Sequence, residues 1–311
     1  MHIRIGTRGS QLARSQTAQV AQLLADLGAA VQLVLITTTG DRQQEGAPPL
    51  GESRGIFTKE LQDALLDGRV DIAVHSLKDL PTEPVAGLRL AAVLARESPF
   101  DVLVCPRAEG LSVLASPVVV GTTSPRRRAQ LWYLYPHLRI EPLRGNVDTR
   151  LRKLREGQFD AIVLAEAGLQ RLNRLTSDCH RLPGAFMLPA PGQGALAVEV
   201  RTDDPDLVRL VGRLDHYPTR AAVEAERSFL RYLKGGCLAP VAALGMIRNE
   251  RLVLAGRVLS PDGRRRLDAT QSDSPQNADL LGEKLATQLL GMGAGECIAL
   301  ARSRPMGLPS D

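Results

Sequence analysis

The 311-residue chain is about twice as long as a typical single domain, which excludes one small domain and points to two or three. Its residues are 44% hydrophobic and 23% charged, so it is neither disordered nor fibrous and can bury real cores. Lys plus Arg number 39 against 34 Asp plus Glu, a net charge of +5 that favours an anionic partner, while an aromatic content of 3% leaves few rings on which nucleic-acid bases could stack.

The amino terminus, MHIRIGTRGS, lacks the apolar stretch of a signal peptide, and segments poor in charge such as LPGAFMLPAPGQGALAV are broken by Pro and Gly. No membrane span is expected, and a reducing cytoplasm is the expected compartment. Short runs rich in Val, Ile and Leu then alternate with helical patterns: HIRI, VQLVLITT, VDIAVHS, LRLAAVLA, PVVVGT, LRIEPL and FDAIVLA read as strands. Such alternation predicts an α/β protein with a parallel or mixed sheet and helices on both faces.

Within this alternation lies an echo. Gly6-Thr7-Arg8-Gly9-Ser10 follows one strand and opens a helix near Gln11, and Gly121-Thr122-Thr123-Ser124-Pro125 does the same before Arg126. GRVDIAV from Gly68 parallels GQFDAIV from Gly157, each after an amphipathic helix, LQDALL and LRKLRE. The two halves read as one unit used twice, although helix-Gly-strand units recur in any α/β protein. On the first reading two lobes face each other across a cleft, with ligands beyond the carboxyl ends of the strands. Arg42 to Gly55, rich in Gly, Pro and polar residues, is longer than an ordinary connection and suggests a mobile lid.

From about Tyr217 the pattern changes. Thr219 is placed to cap a helix through AAVEAERSFLRYL, with Val223, Phe229, Leu230 and Leu233 on one face and Gly235-Gly236 to end it. RLVLAGRVLS and RRRLDATQ flank Pro261-Asp262-Gly263 as a hairpin, and NADLLGEKLATQLLG closes the chain as a helix. The expected division is lobe 1 over 1–95 with 195–213, lobe 2 over 99–190, and a small α+β domain over 217–311.

Several residues could carry chemistry. Cys105, Cys179, Cys237 and Cys297 are widely spaced, which argues against a structural metal site or a disulfide framework. The two Ser-bearing turns offer free backbone N–H groups at helix starts, with Arg8 beside one and Arg126-Arg127-Arg128 beside the other, a combination suited to carboxylate or phosphate. In Leu143-Arg144-Gly145-Asn146-Val147-Asp148-Thr149-Arg150, Arg144 falls at a strand end and Arg150 in a first helical turn, where a cation opposes the dipole. Each Arg taken singly is more often a solvated surface charge; their gathering at strand ends is what suggests a site. His75-Ser76-Leu77-Lys78-Asp79-Leu80-Pro81 comes directly off a strand, so Asp79 reads either as a proton carrier or cation stabiliser, or as half of a surface pair with Lys78. Cys237, in the glycine-loosened turn Lys234-Gly235-Gly236-Cys237, is either a nucleophilic thiol near a cation or an inert one. Pro189 to Leu196 presents the Gln193 amide from a Gly-rich bend, as a return link between lobes.

Together RIGTRGSQLA, RGIFTKEL, DIAVHSLKDLP, VGTTSPRRRAQ, LRGNVDTRL, LPAPGQGALAVE and GGCLAPVA, in this order over nearly the whole chain, resemble the porphobilinogen deaminase (hydroxymethylbilane synthase) family. The resemblance implies two type II periplasmic-binding-protein-like lobes with mixed sheets around a cleft, plus the small carboxy-terminal domain. It also implies a transferase of porphyrin, haem and other tetrapyrrole biosynthesis. Cys237 would carry a covalent dipyrromethane through a thioether. Four porphobilinogen molecules would condense head to tail on its free end, each losing ammonia by way of an azafulvene cation, before hydrolysis releases linear hydroxymethylbilane. Asp79 matches the family's catalytic aspartate. Lys78, Ser124, Arg126, Arg127, Arg144 and Gln193 would hold the cofactor, and Arg8, Ser10, Arg150, Arg171, Arg54, Phe57 and Lys59 the substrate chain, since every ring brings an acetate and a propionate. The resemblance further implies a monomer without metal, nucleic-acid or membrane partner, whose product passes to uroporphyrinogen-III synthase. Arg54 stands where the family often has Lys, and Pro125 where it commonly has Leu; the first keeps the charge and the second fixes the backbone before Arg126. Two rival functions remain: a non-enzymatic anion-binding protein on the same lobes, which needs neither Asp79 nor Cys237, and a nucleic-acid binder resting on the Arg run alone.

Overall fold

The computed structural model describes residues 1–38, 58–106, 110–236 and 239–303. The expected lid over Arg42 to Gly55, together with Arg54, Phe57 and Cys237, lies outside the described residues. The chain divides into two compact units, Met1–Glu97 with Arg171–Asn173 and Gly194–Arg220, and Ser98–Gln170 with Arg174–Gln193 and Ala221–Asp311.

In the first unit the strands are β1 (His2–Thr7), β2 (Ala30–Leu35), β3 (Ile72–Ser76), β4 (Leu88–Val93) and β10 (Leu196–Arg201), in the order β2-β1-β3-β10-β4. β1 runs parallel to β2 and β3, and β10 antiparallel to β3 and β4. The helices are α1 (Gln11–Asp26), α2 (Lys59–Leu66) and α6 (Pro205–Gly212). One sheet face buries Ile3, Ile5, Ile72 and Val198 against Val20 and Leu24 of α1 and Leu207 and Val211 of α6. These helical pairs are four residues apart and so lie on one stripe. Leu61, Ala64 and Leu65 of α2 cover the other face over Val70 and Ala73.

The second unit repeats the plan. β5 (Asp101–Val104), β6 (Val119–Gly121), β7 (Arg139–Glu141), β8 (Ala161–Ala165) and β9 (Cys179–Arg181) lie in the order β7-β6-β8-β5-β9. β6 is parallel to β7 and β8, and β5 antiparallel to β8 and β9. α3 (Pro125–Leu134), α4 (Val147–Arg155) and α5 (Glu166–Arg171) complete it. Strand for strand, order and direction are the same in both sheets. The sequence echo therefore marks a real repeat, down to one hydrogen-bonding device. Asp71 Oδ2 accepts the Arg4 N–H at 2.8 Å, and Asp160 Oδ2 accepts the Val119 N–H at 2.8 Å. In each case a glycine three residues earlier, Gly68 at φ 67° and Gly157 at φ 76°, ends the preceding helix in the left-handed region where a Cβ is penalised.

The second unit also holds a three-stranded antiparallel meander of β11 (Val241–Arg248), β12 (Arg251–Leu259) and β13 (Arg266–Asp273). It packs against α7 (Tyr217–Tyr232), α8 (Ala278–Gly291) and α9 (Ala294–Ser303) around Phe229, Leu254, Leu285 and Leu289. The expected hairpin is β12-β13; β11, broken in pattern by Gly245, and α9 are additions that the periodicity did not reveal. Thr219 does not cap α7. The helix starts two residues earlier with Pro218 in its first turn, and the Thr219 N–H donates to His216 Nδ1 at 3.3 Å, so His216 does the capping.

No helix among the described residues is long and apolar enough to cross a membrane. At the α7–α8 contact, a Cβ built on Gly282 would lie 2.5 Å from the Ala225 carbonyl oxygen and 2.6 Å from the Phe229 nitrogen, both backbone atoms. Gly282→Ala is expected to cost about 2–3 kcal/mol through overpacking, read as a lowered midpoint in urea with an unchanged m-value.

Candidate functional site

In the first unit the strand ends of β1 and β3 frame an open pocket of ≈ 300 Å³ lined by Arg8, Gln16, Thr58, His75, Ser76 and Asp79, among others. Arg8 follows β1, and Ser10 starts α1 by accepting the Ala13 N–H on its Oγ at 3.3 Å. Ser10 is thus half occupied as a cap. Asp79 and Lys78 sit on a single 3₁₀ turn, Leu77–Asp79, directly after β3. Leu77 is buried and donates its N–H to Ala195 O at 3.0 Å, which pins the turn from below; Pro81 prevents its extension. Asp79 is exposed and lines the pocket, and Lys78 is half-buried, so the packing of Leu77 fixes the turn that presents the carboxylate.

Further residues in and behind the pocket come from α1, β3, β10 and the start of α2. Gln16 Nε2 donates to Ser76 Oγ at 2.8 Å. His75 Nε2 lies 3.0 Å from Glu199 Oε2, both buried, and Gln62 Nε2 also reaches Glu199, at 3.1 Å. Thr58 is 2% exposed, and its Oγ1 has no hydrogen-bond partner among the described residues. A buried hydroxyl left without a partner is uncommon enough to point to something that completes it. Lys59, the first residue of α2, is exposed.

Arg171, at the end of α5, belongs to this unit. Its Nη2 donates to Gly194 O at 2.7 Å, and its carbonyl accepts Ser15 Oγ at 3.1 Å. Burial lowers the guanidinium from its ordinary pKa, with Glu97 opposing, and Nε is buried without a partner among the described residues.

In the second unit Ser124 caps α3 by accepting the Arg127 N–H at 3.4 Å, with Pro125 in the first turn, as the turn chemistry anticipated. The arginines that follow do not face solvent. Arg126 and Arg127 are 5% and 6% exposed and both close on Asp101, which is fully buried. Desolvation works to raise the Asp101 carboxyl, but the two guanidinium groups prevail and hold it well below the usual carboxylate range. Its stabilising contribution is therefore present above the ordinary carboxylate range and is lost only when pH falls through that depressed value.

Gln193, 1% exposed in the bend before β10, donates Nε2 to Pro99 O at 2.7 Å and to Asp101 Oδ1 at 3.0 Å. Arg144 and Arg150 are half-buried beside the start of α4, where Asn146 Oδ1 accepts the Thr149 N–H at 2.9 Å and Arg150 Nε donates to Gly145 O at 2.8 Å. Arg128 differs: it lies over the Trp132 ring at 5.2 Å.

The helix that leads toward Cys237 is anchored to the same bend. Glu226 of α7 is fully buried, accepting the Gly192 N–H on Oε2 at 2.6 Å and the Gly245 N–H on Oε1 at 2.7 Å. After α7 the backbone turns through positive φ at Lys234 (51°) and Gly236 (59°), as the glycine-loosened turn suggested. Asp101, Glu199 and Glu226 escaped sequence reasoning, although a lone acid inside an apolar strand or helix face, as in DVLV and LAVEVR, is the signal that each leaves.

A protein-family model described as porphobilinogen deaminase, dipyromethane cofactor binding domain, matches residues 3–209, and one described as porphobilinogen deaminase, C-terminal domain, matches 220–291. Among curated proteins, one named porphobilinogen deaminase from Desulforudis audaxviator is 48% identical over 301 residues, covering 96% of this chain and 97% of its own. Another of that name from Pelotomaculum thermopropionicum is 47% identical over 302 residues, covering 96% and 97%. Among solved structures, the methionine-binding protein MetQ aligns at a TM-score of 0.42 and 15% identity, covering 68% of this chain and 89% of its own.

Proposed function

The chain belongs to the porphobilinogen deaminase family, and on that footing we infer that the residues gathered at its strand ends carry out the family's reaction. The protein is a transferase of tetrapyrrole synthesis that acts on porphobilinogen and uses a dipyrromethane cofactor. The observation that carries the residue-level reading is the first-unit pocket, where the exposed carboxylate of Asp79 shares one cavity with Arg8.

Two pyrrole rings with acid side chains need cationic and N–H donors for carboxylates and one acceptor for pyrrole N–H. The residue types suit these needs in each unit by itself: in the first, Arg8, Lys78 and Arg171 supply cations, Ser10 stands at a helix start and Thr58 Oγ1 has no partner among the described residues; in the second, Arg144 and Arg150 supply cations and Ser124 stands at a helix start. When bound through Cys237, the cofactor supplies a nucleophilic pyrrole carbon as primer. Asp79 accepts the N–H of the incoming porphobilinogen ring and stabilises the positive charge that develops as ammonia departs. It then takes the proton released when the ring system regains aromaticity. Arg8 and Lys78 bind acid side chains, which keeps the substrate oriented.

Arg126, Arg127 and Gln193 hold cofactor carboxylates, and Arg54, Phe57 and Lys59 contact the lengthening chain. The segments 1–95 with 195–213, 99–190 and 217–311 act as two lobes and a cofactor-carrying module. The enzyme works as a monomer in the cytoplasm and passes hydroxymethylbilane to uroporphyrinogen-III synthase.

The test is intact mass together with porphobilinogen consumption. Purified protein is expected to weigh more than its sequence by two pyrrole rings and to consume porphobilinogen with release of ammonia. Bare sequence mass and no consumption after incubation with porphobilinogen would favour the anion-binding alternative.

A further inference from the structure

Asp101 has no place among the residues assigned above, yet three of the side chains assigned to the cofactor converge on it. It opens β5 and is 0% exposed. Arg126 Nη1 donates to its Oδ2 at 2.7 Å; Arg127 donates to Oδ1 through Nε at 3.1 Å and Nη2 at 2.7 Å; Gln193 Nε2 donates to Oδ1 at 3.0 Å. Each guanidinium is pinned at a second point, Arg126 on Leu188 O and Arg127 on Val163 O, both at 2.8 Å.

Two buried guanidinium groups thus share one buried carboxylate. A buried charge without a counter-charge is expensive, and the arrangement is balanced only when a second anion joins it. The pinning also removes the side-chain freedom that an arginine otherwise loses on gripping a carboxylate.

We propose that Asp101 is a positioning residue: it clamps Arg126 and Arg127 in one buried cluster whose surplus positive charge receives a carboxylate of the pyrrole ligand. The assignment rests on Arg126, Arg127 and Gln193 being cofactor ligands. Simple charge counting makes the opposite prediction, because removing the Asp101 charge leaves the cluster more positive and should tighten its hold on an anion.

The deciding measurement uses apoprotein from cells unable to make porphobilinogen, mixed with porphobilinogen over a range of concentrations. Gain of the two-ring mass is followed by intact-mass spectrometry and folding by thermal melting. In Asp101→Asn the half-saturating porphobilinogen concentration is expected to rise roughly tenfold or more. A purely structural role would lower the fraction that loads, in step with the folded fraction, without moving half-saturation. Should Asp101→Asn fail to fold, Asp101→Glu, which keeps the charge but displaces it by a methylene, decides by the same criterion. A folded variant with half-saturation equal to wild type, or lower, overturns the proposal. Wild-type apoprotein that gains no mass overturns instead the cofactor assignment on which the proposal rests.

Discussion

Cys237→Ser is expected to yield a folded protein of bare sequence mass with turnover reduced by at least ~10⁴-fold. On the proposed attachment the thioether would hold the primer beside the incoming substrate, so that each condensation would proceed as an intramolecular step, and such tethering is worth effective molarities of about 10⁵–10⁸ M. A serine hydroxyl, nearly the same size, has no thiolate to form the bond at neutral pH. The described residues on either side have their own supports: Gly236 turns the backbone at positive φ, and Ala239 and Val241 are packed into a hydrophobic core. The other cysteines supply the control. Cys105 and Cys297 are buried, and burial pushes the Cys297 thiol up, away from the reactive form; Cys179 is only partly buried. Cys179→Ser should keep the adduct and the activity. An adduct that survives Cys237→Ser, with turnover near wild type, would remove Cys237 from its role.

Asp79→Ala is expected to lower turnover by about 10²–10⁴-fold, the usual worth of a positioned proton carrier or of a charge aimed at a developing ion. The melting temperature should not move measurably. Asp79 is exposed, and its turn is secured by the buried Leu77 and by the Leu80 N–H donating to Leu77 O at 3.2 Å, so truncation removes chemistry and leaves packing intact. Asp79→Asn separates the two roles of the carboxylate, because the amide keeps an acceptor for pyrrole N–H but cannot take the proton or balance a cation. It should bind porphobilinogen nearly as wild type while turnover falls. Wild-type turnover in either variant sinks the assignment.

Asp79 lies where the sequence put it, on a turn directly after a strand, while Cys237 lies outside the described residues. Ser10 and Ser124 cap helices at the positions read from their turns, and Gly68 and Gly157 end helices before matching strands. The cluster around Arg126 and Arg127 was legible only in part. Their presence beside a helix start suggested open anion-binding charges, whereas both guanidinium groups are buried and committed to Asp101. The first sheet likewise gains β10, which takes up the chain where the crossing link Pro189 to Leu196 ends; Val198 pairs with Val74 across more than a hundred residues of chain.

What the amino-acid order determined alone was whatever depends on neighbours a few positions away: helix starts, glycine stops, runs of β-branched residues, and through them a repeated α/β unit followed by a smaller module. Only the tertiary structure decided which charges meet. Asp101 lies 25 residues from Arg126 and 92 from Gln193, and Glu226 reaches back 34 residues to Gly192. An arginine has the same local preferences whether it ends in water or on a buried carboxylate. Its partner is selected by desolvation and Coulomb attraction that exist only once the sheet has brought distant strand ends together.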